Sequence, residues 1–134
     1  MKLLSLLLLI LTTTAAQAQV TDLFLNAVER VESHGNTRAV GDNGRALGCL
    51  QIWSSVVVDV NRIAGTNYRH VDAFDRVKAR KIARIYLNHY ASPKRLGRTA
   101  CSQDYARIWN GGPLGHKKAA TLGYWAKVQK ELGR

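Results

Sequence analysis

The stretch VTDLFLNAVERVESHG, residues 20–35, fixes the first structural element and raises the question of function. Val20, Leu23, Phe24, Ala27, Val28 and Val31 recur at helical spacing, so the stretch reads as an amphipathic helix with Gly35 as its stop. It carries two glutamates, Glu29 and Glu32. At about 100° per residue, the apolar stripe runs from Leu23 on one side to Val28 on the other. Glu29 then points nearly opposite the stripe's centre and is expected in solvent, whereas Glu32 lies just beyond Val28, at the border of the core. A carboxyl at such a border is partly desolvated, which favours its protonated form. The unsatisfied carbonyls of the last helical turn oppose ionisation further. A carboxylic acid that keeps its proton near neutral pH is suited to protonate a glycosidic oxygen. The bland alternative is a Glu32 that reaches past the border into water or pairs with Arg38.

Glycoside hydrolysis generally requires a second, ionised carboxylate. Asp42 is the candidate, because a turn just after the helix can fold back so that its side chain faces Glu32 across a cleft. The turn itself is signalled by Asn43-Gly44, the strongest short-range hairpin pair, so residues 40–48 read as a small β-turn or two-stranded ribbon. An aspartate before Asn-Gly also commonly hydrogen-bonds its own turn, which is the structural alternative for Asp42.

The remainder reads as mostly helical. Ser54 and Ser55 can cap a helix running toward Ala64, although Val56-Val57-Val58 equally suits a strand. Phe74, Val77, Ile82 and Ile85 organise a longer helix ending near Tyr90, and residues 93–99 form a basic loop. Ser102 opens a helix through Trp109, which Asn110-Gly111-Gly112-Pro113 ends. A last helix, residues 121–132, is expected to bury Leu122, Trp125, Val128 and Leu132. The fold class expected is mainly α (α+β), with about five helices and a small β-hairpin beside the cleft.

The chain has 134 residues, of which the first 18 have the layout of a secretory signal peptide. Lys2 precedes the apolar run from Leu3 to Leu11, and Ala16-Gln17-Ala18 is a small-residue cleavage site. The run falls short of the length that spans a bilayer, so no stable membrane insertion is expected. Residues 19–134 are then one domain, secreted or periplasmic. The two cysteines, Cys49 and Cys101, are too far apart for a redox or zinc motif, and no histidine cluster accompanies them, so no metal or other cofactor is implied. In an oxidising compartment they can pair as a disulfide, the alternative being two separate thiols. The formal charge of +11 and pI near 10.2 favour polyanionic partners. Export makes nucleic acid the least expected of these, so no nucleic-acid partner is expected, and leaves cell-wall polymers or an anionic membrane surface, or simply a solvated basic face.

Several segments together resemble one family. Glu32-Ser33, Gly41-Asp42-x-Gly44, Gly48-x-x-Gln51-Ile52, the run Cys101 to Pro113 (CSQDYARIWNGGP) and Ala120-Thr121-x-Gly123-Tyr124-Trp125 are similar to invertebrate-type (destabilase) lysozymes and their bacterial relatives. The resemblance spans nearly all of residues 19–134; its first pieces are shared with soluble lytic transglycosylases, and the Asn-Gly-Gly-Pro and Thr-x-Gly-Tyr-Trp pieces are more specific. It implies a lysozyme-like fold, Glu32 as general acid and Asp42 as second carboxylate. It also implies that Gln51 braces the ribbon or contacts sugar and that Ser33 belongs to the substrate site. Asn110 and Gly111 would form cleft wall, and Tyr124 an apolar surface against a pyranose ring; Trp125 reads as core. The chain departs from the animal pattern in keeping only two cysteines and in having one residue fewer between Asp42 and Gln51. Trp109 replaces a common histidine, and Val56 and Val57 stand where an aromatic pair is usual. No nucleophile and base matching an isopeptidase are found.

The activity implied is cleavage of the β-1,4 bond between N-acetylmuramic acid and N-acetylglucosamine in peptidoglycan. The rival is a lytic transglycosylase using Glu32 alone, and a rival of another class is a non-catalytic basic wall-binding protein.

Overall fold

Thr21 starts the first helix, α1 (Asp22–Ser33): its hydroxyl accepts the Phe24 N–H at 3.1 Å. His34, in the left-handed region at φ 56°, ends it and returns N–H bonds to the last turn. These facts come from a computed structural model that describes residues 19–133; the leader and its cleavage site fall outside that range. Leu23 is 75% exposed while Leu25 is 1% exposed, so the apolar face of α1 is rotated by about 60–70° from the expected stripe. The rotation carries both glutamates inward. Glu32 becomes half-buried, and Glu29, expected in solvent, is buried at 4% exposure. Its carboxylate is paired with Arg80 (2.8 Å) and Arg76 (3.3 Å) of the third helix.

After α1 the chain forms three two-residue antiparallel strands, β1 (Val40–Gly41), β2 (Ala46–Leu47) and β3 (Ile52–Trp53), in that order across the sheet. Gly41 pairs with Ala46, and Ala46 with Trp53. The ribbon expected from the sequence is therefore extended by a strand. Gly48 (φ 75°) and Gln51 (φ 52°) fold the chain back, with a turn bond from Gln51 N–H to the Gly48 carbonyl. Gly48 also lies so close to the segment below that a Cβ would sit 1.9 Å from the Ala73 carbonyl oxygen.

The helices that follow are α2 (Ser54–Ala64), α3 (Arg76–Tyr90), α4 (Pro93–Leu96), α5 (Ser102–Gly111) and α6 (Leu122–Leu132). Burial of Val57 and Val60 with Val58 exposed shows why the valine run is helix: its apolar residues are spaced for one helical face. Part of the expected basic loop closes into the single turn α4, with Pro93 in its first turn and Gly97 as its left-handed end. Two residues expected to organise helices do not. Val77 is exposed, and α3 instead buries Ala79, Ile82, Ala83, Tyr86, Leu87 and Tyr90. Leu122 is also exposed, leaving Val128 as the fully buried residue of α6, with Trp125 and Leu132 packed at its margin. Phe24, Leu25 and Val28 join Leu50, Ile52, Ile82, Leu87, Ile108 and Val128 in one hydrophobic core, and α6 packs on both α1 and α5.

The expected bridge between Cys49 and Cys101 is not formed; both thiols are free. Cys49 is buried beside Glu29 and Arg76, whereas Cys101 is exposed at the start of α5, its sulfur 3.3 Å from an Asp104 carboxylate oxygen. Among the described residues no helix is long and apolar enough to cross a membrane, and no group of His, Cys, Asp and Glu could hold a metal ion.

Candidate active site

The end of α1, the small sheet and the end of α5 enclose a cleft of about 370 Å³ lined by Glu32, Asp42, Gln51, Trp53, Trp109 and Asn110, among others. The rotation of α1 delivers Glu32 to it. Burial pushes the Glu32 carboxyl above the usual carboxylate range; the bond from Tyr124 pulls it back, the Asp42 charge adds to the rise, and Lys127 opposes it. The net direction is upward. Tyr124, on α6, donates its hydroxyl to Glu32 Oε1 at 2.7 Å, so the bland partner proposed for Glu32, Arg38, is not the one that holds it. The phenol is in turn held well above its ordinary pKa by its own burial and by the neighbouring Glu32.

Asp42 opens a short 3-10 turn (Asp42–Gly44), and both it and Asn43 have positive φ, a conformation these residue types tolerate better than most. Its side chain is exposed to the cleft and Oδ2 accepts the indole N–H of Trp53 at 3.2 Å. Arg45 donates from Nε to the Asp42 carbonyl at 2.9 Å and stacks its guanidinium 5.0 Å from the centre of the Trp53 ring. A sheltered carboxyl with a raised pKa and an exposed aspartate thus share one cleft, the pairing of unlike environments that acid-assisted glycoside cleavage uses.

The other residues singled out from the sequence divide between lining and bracing. Asn110 lines the cleft, and so does Gly112, while Gly111 turns away: a Cβ there would sit 2.5 Å from Thr121 Cγ2, and its carbonyl accepts from Lys118. Gln51 lines the cleft and also braces the sheet, donating from Nε2 to the Gly48 carbonyl at 2.9 Å. Its Oε1 fills the space over Gly41, where any Cβ would come within 2.1 Å of it. Ser33 is a brace: its hydroxyl donates to the Cys49 carbonyl at 2.8 Å and ties the end of α1 to the loop after β2. Tyr124, expected as an apolar surface for a pyranose ring, is a partner of Glu32 and is not one of the residues lining the cleft.

Sequence reasoning missed the aromatic lining. Trp53 follows directly on the Gln51-Ile52 piece, and that adjacency was the available signal. Tyr86 and Trp109 meet edge to face at 5.9 Å and, with Val56, make the apolar end of the cleft; they come from α3, α5 and α2, which no local pattern could have joined.

No family model matches the chain. It is 32% identical over 127 residues to a lysozyme of Ostrea edulis, covering 92% of this chain and 90% of that protein. A lysozyme of Magallana gigas is 30% identical over 134 residues, covering 95% and 91%. A lysozyme of Meretrix lusoria is 44% identical over 88 residues, covering 66% and 69%. Two solved structures share the fold. One is the crystal structure of Aeromonas hydrophila PliI in complex with Meretrix lusoria lysozyme, with TM-score 0.71, 29% identity and 83% of this chain and 89% of the matched chain covered. The other is Tapes japonica lysozyme, with TM-score 0.67, 26% identity and 82% and 89% covered. Through both its sequence and its fold, the chain belongs to the invertebrate-type lysozyme family.

Proposed function

We propose that the protein is a muramidase that hydrolyses the β-1,4 bond between N-acetylmuramic acid and N-acetylglucosamine. The observation that carries this reading is the Glu32 carboxyl, raised by burial and opening on the same cleft as the Asp42 carboxylate. Glu32 protonates the glycosidic oxygen as the bond to the anomeric carbon breaks, and the departing sugar leaves with a free hydroxyl. With Tyr124 donating to Oε1, the proton to be transferred is carried on Oε2. Asp42, anchored by Trp53, stabilises or captures the oxocarbenium-like carbon. Water then adds to that carbon, breaking any bond to Asp42 and returning it as a carboxylate, and gives its proton back to Glu32, restoring the acid and leaving a reducing end. No metal or organic cofactor takes part in this scheme.

The basic charge would hold the enzyme on anionic cell-wall polymers, with glycan strands of peptidoglycan as its substrate. Export through the leader, with residues 19–134 as the mature single domain, is the corresponding proposal for location.

Glu32→Gln in a cell-wall lysis assay, with mass spectrometry of the wild-type digest, tests the reading. The variant should lose lysis, and the wild type should release reducing muropeptides. Undiminished lysis by the variant would mean a protein acting through charge alone. Products ending in 1,6-anhydromuramic acid would assign the chemistry to a lytic transglycosylase.

A further inference from the structure

We propose that Trp53 is the sugar-stacking residue of the cleft and, through its indole N–H, the positioning residue of Asp42. The proposal rests on the hydrolase reading for its catalytic half and on the cleft's geometry alone for its binding half.

Trp53 is a large apolar side chain left 39% exposed beside the buried Ala46 and Ile52, and it lines the cleft. Its backbone is fixed by pairing with Ala46, and it directly precedes α2, so the ring projects from a rigid junction. An indole has one donor, and here it is committed to Asp42 Oδ2. Arg45 closes the group, bonding the Asp42 carbonyl through Nε while its guanidinium covers the ring. Trp53 borders the cleft and Arg45 does not, so Arg45 leaves part of Trp53 open to the cleft. Asp42, Arg45 and Trp53 therefore form a closed triangle in which each member fixes the other two.

The ligand class follows from that surface. A β-1,4-linked N-acetylhexosamine carries its ring substituents equatorially, which leaves flat faces of C–H groups suited to an aromatic plane. A sugar lying on Trp53 presses on a ring already hydrogen-bonded to the second carboxylate. Occupancy of the cleft and placement of Asp42 are thereby linked through one side chain.

The experiment uses the mature chain, with tri-N-acetylchitotriose titrated by calorimetry and peptidoglycan turnover measured in parallel, each variant first checked by thermal melting. Trp53→Ala should weaken binding of the trisaccharide by about tenfold or more, as truncation of a buried aromatic anchor does. Trp53→Phe keeps a stacking ring and loses the donor, so affinity and KM should stay within about threefold while kcat falls about tenfold, the size expected for a hydrogen bond to a charged group. Binding unchanged within twofold in Trp53→Ala would overturn the stacking role, and wild-type kcat in Trp53→Phe would overturn the positioning role. A wild type that binds the trisaccharide through Trp53 yet releases no muropeptides supports the stacking role and overturns the hydrolase reading instead.

Discussion

Replacing Glu29 with alanine removes a carboxylate whose side chain is almost wholly buried and strands the two arginines that meet it. Breaking a fully buried ion pair costs about 3–5 kcal/mol, because the remaining charge is left unpaired. Arg76 is half exposed and can be hydrated, so its share is small. Arg80 is mostly buried but keeps Asn26 (2.5 Å) and Asp22 (3.4 Å), which moves the cost toward about 2–3 kcal/mol. At roughly 4 °C per kcal/mol for a chain of this size, Glu29→Ala should melt about 8–12 °C below wild type. Its lysis rate per folded molecule, measured well below that transition, should be unchanged. Glu32→Gln should show the reverse, with lysis lost and thermal stability at neutral pH equal or higher. The sign follows from linkage: a carboxyl whose folded pKa is raised contributes stability at low pH and loses it as pH rises through that pKa. Removing the charge removes the penalty. Calorimetric melts paired with turbidity assays decide the matter. A Glu29→Ala protein that melts within about 2 °C of wild type, or that is folded but inert, would refute this assignment of the two glutamates.

Tyr124→Phe deletes the bond that holds Glu32 toward its ionised form, so the basic limb of the pH–rate profile should move to higher pH while peak turnover falls; a limb that stays put or moves down would contradict the role given to Tyr124. For Asp104, burial raises the carboxyl but Arg98 and the Cys101 N–H and thiol pull it down to about 2. It therefore stabilises the fold above the ordinary aspartate pKa of about 4 and loses that contribution as pH falls toward 2, so Asp104→Asn should flatten the acid limb of a stability–pH curve. Gly48→Ala places a methyl 1.9 Å from the Ala73 carbonyl at a positive φ, and a loss of more than about 2 kcal/mol in denaturant titration is expected. Reducing agent should leave the melting temperature unchanged, since Cys49 and Cys101 are not joined.

Helices were legible where local chemistry marked their ends. The apolar spacing of the first helix and the Asn110 to Pro113 breaker each act within a few residues, so sequence order and physical neighbourhood coincide; the valine run, equally suited to a strand, was resolved as helix by its packing. Glu32 was expected at the margin of an apolar face and is half-buried, but that face was misdrawn. Counting Leu23 into the stripe and leaving Leu25 out made Glu29 look solvated, and only the packing of α1 on α3 and α6 shows which leucine is inside. The third strand follows a fold-back at Gly48, which lies against Ala73, a contact between segments far apart in the chain. The contact of Tyr124 is also long-range: the family resemblance suggested a sugar platform there, whereas its hydroxyl bonds Glu32. Cysteine count and compartment suggested a covalent link, but each thiol has its own polar neighbours in a different part of the molecule.

The bond between Tyr124 and Glu32 joins the first helix to the last, and Arg30 and Glu131 clasp the same two helices at 3.0 Å. That arrangement is completed late in synthesis: until residue 124 has been added, Glu32 lacks the phenol that bonds its carboxyl.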